Sequence, residues 1–85
     1  MISYEYIVSD KQGLHAFNAL RLSKVASEYE CRITLKSRKG TADCKNVLSL
    51  ISLGARHGEC LEFIAEGQDE NKAMDFLKEF LKTNL

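Results

Sequence analysis

Apolar and polar positions alternate at the start of the chain: Ile2, Tyr4, Tyr6 and Val8 fall on one face, Ser3, Glu5 and Ile7 on the other. That period of two predicts a strand over 2–8. Asp10-Lys11-Gln12-Gly13 breaks the alternation with turn residues. Beyond it Ala19, Leu22 and Ala26 recur at helical spacing, so a first helix is expected over 16–27. Period two returns with Cys31, Ile33 and Leu35 against Arg32, Thr34 and Lys36, a second strand with one dry and one wet face. Ser37-Arg38-Lys39-Gly40 turns the chain into a short third strand near 41–44. Asn46 is placed to cap a short helix carrying Val47, Leu48, Leu50, Ile51 and Leu53, more apolar residues than one buried stripe takes up. A fourth strand follows, with Leu61, Phe63 and Ala65 alternating with Cys60, Glu62, Ile64 and Glu66, and Gly67 ends it. Asp69 and Glu70 open a last helix whose stripe is Ala73, Leu77, Phe80 and Leu81.

The order βαββαβα predicts the α+β class: four strands in one largely antiparallel sheet with three helices on one face, an open-faced sandwich. At 85 residues there is room for one core, hence a single domain over 1–85. Lys and Arg total 12 and so do Asp and Glu, so no net field draws the chain to nucleic acid or an anionic membrane. No apolar run reaches spanning length, and Glu5 stands where a secretory leader would be basic and then apolar. The expectation is a cytoplasmic protein without membrane insertion. Three widely spaced cysteines, Cys31, Cys44 and Cys60, argue against a disulfide framework and read as small core or strand residues. Neither they nor His15 and His57 have metal-ligand spacing, so no metal site and no cofactor are expected.

The chemistry then centres on His15. It follows Gly13-Leu14 and stands where the first helix begins, so free N–H groups of Ala16, Phe17 or Asn18 and the positive end of the helix dipole converge on any anion held there. A neutral imidazole is also a nucleophile, and the two properties together point to a phosphohistidine. A histidine at a helix start is more often a surface or capping residue, so position alone does not decide the matter.

Gly13-Leu14-His15 with Ala19 and a following helix resembles the active-site stretch of the histidine-containing phosphocarrier (HPr) family of the sugar phosphotransferase system. The element order, the chain length, Ser52-Leu53-Gly54 after the short helix and Ala65-Glu66-Gly67 before acidic residues extend the resemblance over essentially the whole chain. It implies that His15 accepts a phosphoryl group on Nδ1 from the general enzyme charged by phosphoenolpyruvate and passes it to a sugar-specific acceptor protein. The protein would then be a substrate of partner phosphotransferases, not an enzyme. The family's motif has Arg and Pro where this chain has Phe17 and Asn18. Losing that arginine removes a charge-assisted contact of roughly 1.5 to 3 kcal/mol. Arg56, in the loop that passes near the histidine in the family fold, is a candidate replacement. Asn46 stands where many members carry a regulatory serine, and an amide has no hydroxyl to phosphorylate.

The resemblance also implies that the first and short helices form the docking face for donor and acceptor, with Phe17, Leu20, Val47, Leu48 and Ile51 as its apolar residues and Arg21, Lys24 and Lys45 as a basic rim. Several of these apolar side chains would otherwise pack under the neighbouring loop. A carrier, most simply a monomer, is the leading reading. A regulatory binding module that has lost efficient transfer is the second, on the strength of Phe17, Asn18 and Asn46. A nucleic-acid-binding domain is the third, from Tyr4 and Tyr6 with Arg32, Lys36, Arg38, Lys39 and Lys45, although the balanced charge opposes it.

Overall fold

Strand β1 (Ile2–Ile7) is followed by α1 (Ala16–Ser27), β2 (Arg32–Ser37), β3 (Gly40–Asp43), α2 (Val47–Leu53), β4 (Cys60–Glu66) and α3 (Glu70–Asn84). These elements come from a computed structural model that describes residues 1–85. The order matches the expectation. Two boundaries move slightly, because β2 begins after Cys31 and β3 ends before Cys44, although both thiols are buried in the core. Cys60 differs: it is the first residue of β4, on the outward face, and is exposed.

The four strands form one sheet in the order β1-β4-β2-β3, and every neighbouring pair is antiparallel. β4 is thus an inner strand, with Phe63 opposite Tyr4 on one side and Leu35 on the other. Its alternation decides which face is dry: Leu61, Phe63 and Ala65 are fully buried, while Cys60 and Glu66 are exposed. Helix α3 packs on β1 and β4, α2 on β3, and α1 against both other helices. Leu22 from α1, Leu50 from α2 and Met74, Leu77 and Leu81 from α3 meet Ile33, Leu35 and Phe63 in one core. Tyr4 and Tyr6 are half-buried against that core, and the Tyr6 hydroxyl donates to the Leu81 carbonyl at 2.9 Å. The alternating tyrosines therefore brace α3 and are not a base-stacking platform, which removes the main support for the nucleic-acid reading.

Asp69 occupies the N-cap position of α3 but makes no side-chain cap bond. Its carboxylate instead accepts the N–H groups of Glu30 at 2.8 Å and Cys31 at 2.9 Å, fastening the start of α3 to the α1–β2 connection. The bond from Glu30, followed by those from Cys31, holds Asp69 below the usual carboxylate range. Glu70 is lowered by hydrogen bonds from the amino group of Met1 and the N–H of Gly67. Glu59 is lowered by the Arg56 N–H and by Lys39. Carboxylates lowered in the folded state contribute stability that is complete above their ordinary range near pH 4 and is lost as pH falls through the lowered values. The urea midpoint is therefore expected to drop between about pH 6 and about pH 3. Asp69→Asn should flatten that dependence; an unchanged slope would remove the assignment.

Candidate functional site

The site is assembled at the start of α1, where the chain must turn sharply out of β1. Gly13 has φ +71°, and a side chain would not fit there, since its Cβ would run into the Ala55 carbonyl and the Arg56 backbone. Its N–H donates to the Asp10 carbonyl at 2.9 Å, and the next N–H, from Leu14, donates to the Ala55 carbonyl at 2.9 Å. The loop after α2 is thereby docked beside the approach to His15. Glu59 Oε1 secures that loop by accepting the Arg56 N–H at 2.5 Å and Lys39 Nζ at 3.1 Å, while Lys39 also donates to the Gly54 carbonyl at 2.8 Å.

His15 is the N-cap of α1, in extended backbone with φ −128° and ψ −177°. Its Nδ1 accepts the Phe17 N–H at 3.3 Å, which aims the Nδ1 lone pair at the helix N-terminus. In return the His15 N–H donates to Asn18 Oδ1 at 2.7 Å. Asn18 Nδ2 donates to the Gly13 carbonyl at 2.9 Å and, more weakly, to the Asn84 carbonyl at 3.4 Å. The side chain of Asn18 is thus buried and occupied in holding the histidine-bearing turn, a task beyond the backbone N–H expected of it from the sequence. The N3 position, three residues after the cap, was the available signal.

The imidazole keeps 31% of its side-chain surface exposed, and Asp10 Oδ2 lies 3.7 Å from its Nε2. Phe17 stands edge-on to the ring at 6.4 Å between centroids and is 74% exposed. Leu20, one turn along α1, is exposed as well, and so are Leu48 and Ile51 on α2. Gly54 caps α2 through Ile51, and the following Ala55 touches Gly13, so the C-terminal end of α2 lies beside His15. Val47 departs from this set: it is half-buried and packs against the core at the first turn of α2, which Asn46 caps by accepting the Ser49 N–H on Oδ1 at 3.1 Å. Lys45 is also withdrawn from the expected rim, its Nζ donating to the Tyr29 carbonyl at 2.6 Å. Arg21 and Lys24 remain exposed, Arg21 in contact with Asn84 at 3.3 Å. Arg56 brings its backbone to Gly13, while its exposed guanidinium forms no ion pair or hydrogen bond with His15. Ala16 is exposed on the first turn. Asp10, Lys39 and Glu59 carried no sequence signal, since their roles arise from loops that meet only in space.

The family model for the PTS HPr component phosphorylation site matches residues 2–83. The phosphocarrier protein HPr of Mycoplasma genitalium is 31% identical over 85 residues, covering 99% of this chain and 97% of its own. The crystal structure of HPr-C-His from Thermoanaerobacter tengcongensis superimposes with a TM-score of 0.92 at 26% identity, covering 99% of this chain and 94% of that one. An HPr dimer from the same organism superimposes with a TM-score of 0.76 at 27% identity over 92% of this chain and 90% of its own. These relatives favour a carrier over a regulatory binding module. The chain belongs to the HPr family and is a phosphocarrier of the phosphotransferase system.

Proposed function

We propose that His15 is the phosphoryl acceptor of a single HPr-like domain over 1–85, and that Nδ1 is the reacting atom. The observation that carries this is the aim of the Nδ1 lone pair along the Phe17 N–H at the start of a twelve-residue helix, on a ring that is one-third exposed. In uptake, the Nδ1 lone pair forms the bond to phosphorus while the bond to the donor's leaving atom breaks and its electron pair departs with the donor. The incoming phosphoryl group takes the place of the imidazole at the first-turn N–H groups of Ala16, Phe17 and Asn18, which have no acceptor within the helix. Their dipoles carry part of the charge that an arginine carries in the family's motif, and the exposed Arg56 guanidinium supplies a cation from the adjoining loop. Delivery reverses the step onto the acceptor protein. No cofactor and no catalytic turnover of its own are required.

The partners are the general enzyme charged by phosphoenolpyruvate and a sugar-specific acceptor, met in the cytoplasm by a monomer. Phe17, Leu20, Leu48 and Ile51 form the docking surface beside His15, with Val47 beneath its edge. An exposed apolar group of this size suits brief encounters in which each partner must reach the same ring. Leu48→Ala is expected to weaken donor binding by about 1 to 2 kcal/mol while changing folding stability by less than about 0.5 kcal/mol. Titration calorimetry against the general enzyme, paired with urea unfolding, separates the two effects. Unchanged affinity would remove Leu48 from the surface. The function itself is tested by incubating the protein with phosphoenolpyruvate and the general enzyme: an acid-labile phosphoryl group on the chain is expected. A folded protein that stays unlabelled beside an active donor would overturn the reading.

A further inference from the structure

The edge of the His15 ring opposite Nδ1 faces a carboxylate. Asp10 Oδ2 lies 3.7 Å from His15 Nε2, longer than a hydrogen bond yet within direct Coulombic range, with the two side chains 32% and 31% exposed. The placement is held by a set of contacts in the β1–α1 turn. Asp10 Oδ1 accepts the Gln12 N–H at 2.8 Å. The Asp10 N–H donates to the Leu85 carbonyl at 2.8 Å, and the Asp10 carbonyl accepts the Gly13 N–H at 2.9 Å. One oxygen is thus committed to the turn and the other is left toward the ring.

A donor at one ring nitrogen and an anion near the other have a single electrostatic solution. The Phe17 N–H requires a lone pair on Nδ1, and the Asp10 carboxylate favours the proton on Nε2. We propose that Asp10 is a positioning residue for phosphoryl transfer: it holds His15 in the Nε2–H tautomer, so that Nδ1 meets the donor as the nucleophile. This rests on His15 being the phosphoryl acceptor. When Nδ1 bonds to phosphorus, the ring keeps its Nε2 proton and gains positive charge, which the carboxylate offsets. When the phosphoryl group leaves, the N–P electron pair returns to Nδ1 and the neutral Nε2–H ring is restored. No proton passes to Asp10 at any point. The carboxylate thereby acts on the ring while the helix N-terminus acts on the phosphoryl oxygens, a division suited to a site where Phe17 stands next to the histidine.

The test uses the full chain with ring-¹⁵N histidine. Asp10→Asn and Asp10→Ser both keep an oxygen for the Gln12 N–H and remove the anionic oxygen that faces Nε2, and exposed His57 is an internal reference in the same spectrum. Long-range ¹H–¹⁵N spectra of the neutral ring are expected to show Nε2–H dominant in the parent and a larger Nδ1–H fraction in both variants, with His57 unmoved. Uptake from the phosphorylated general enzyme should fall on the order of two- to fivefold at low salt, as for a partly exposed charge pair, and the difference should shrink as salt is added. An unchanged tautomer ratio in folded variants overturns the inference while leaving His15 as acceptor. An unchanged uptake rate overturns it too. Failure of the parent to take up phosphate overturns the acceptor assignment, and the transfer role of Asp10 with it.

Discussion

His15→Ala is expected to abolish phosphoryl uptake, because no other nucleophile is presented at the start of α1. His57 is the only other histidine and lies in the exposed loop before β4. The substitution also removes a cap, since Nδ1 accepts the Phe17 N–H, and loss of such a cap costs about 1 kcal/mol. That is small against the 5 to 15 kcal/mol typical of a domain, so the variant should remain folded. His15→Asn makes the point without the cap loss, because an amide oxygen can take the same N–H while offering no nucleophilic nitrogen. Both variants should remain folded, His15→Asn with an unfolding curve close to the parent and His15→Ala about 1 kcal/mol less stable, and neither should carry acid-labile label after incubation with phosphoenolpyruvate and the general enzyme. Label retained in either one would move the acceptor elsewhere.

The second large effect is expected at Gly13. Two costs add there for Gly13→Ala. An L side chain at φ +71° is about 1 to 2 kcal/mol less favourable than glycine, and the new methyl group meets the Ala55 carbonyl and, at 2.9 Å, the Arg56 Cα. Backbone cannot rotate away as a flexible side-chain tip can, so the docked loop must shift, a further cost of roughly 1 to 3 kcal/mol. The total, roughly 2 to 5 kcal/mol, is a large share of the stability of a small domain. Gly58 is the natural comparison, having φ +87° but open space around its Cα, so Gly58→Ala should show only the first cost. Uptake should also fall in Gly13→Ala under conditions where it is folded, because the loop it displaces carries Arg56 and abuts the turn into His15. Urea unfolding of the two variants measures the difference. Equal losses would mean that the Gly13–Ala55 packing is not what holds the loop.

Much of this was legible in one dimension. The period-two runs located the four strands, and the outward or inward phase of β4 followed directly from Leu61, Phe63 and Ala65. Helical spacing placed α1 at the residues it occupies, and His15 was legible as a helix-start histidine because capping depends on a few neighbouring residues. Asn46 could likewise be read as a cap, and the bond from the Ser49 N–H realises it. Asp69 was less transparent. It stands at a helix start, yet its oxygens satisfy the N–H groups of Glu30 and Cys31, donors some 38 residues away. Val47 and Lys45 looked like surface candidates by residue type, and their local packing drew both inward.

The sequence by itself determined the α+β alternation, the apolar faces and the histidine at the head of α1, since each depends on residues within a turn or two of one another. Tertiary structure alone decided that β4 lies between β1 and β2, that the loop after α2 closes against Gly13, and that Asn18 is buried beneath the His15 turn. It also decided which carboxylate faces Nε2, since the turn that orients Asp10 is anchored to Leu85 at the other end of the chain. The physical reason is one of range. Periodicity and capping are set by neighbours in sequence, whereas the charge and shape around His15 come from segments that share no neighbours until the sheet and its helices have closed.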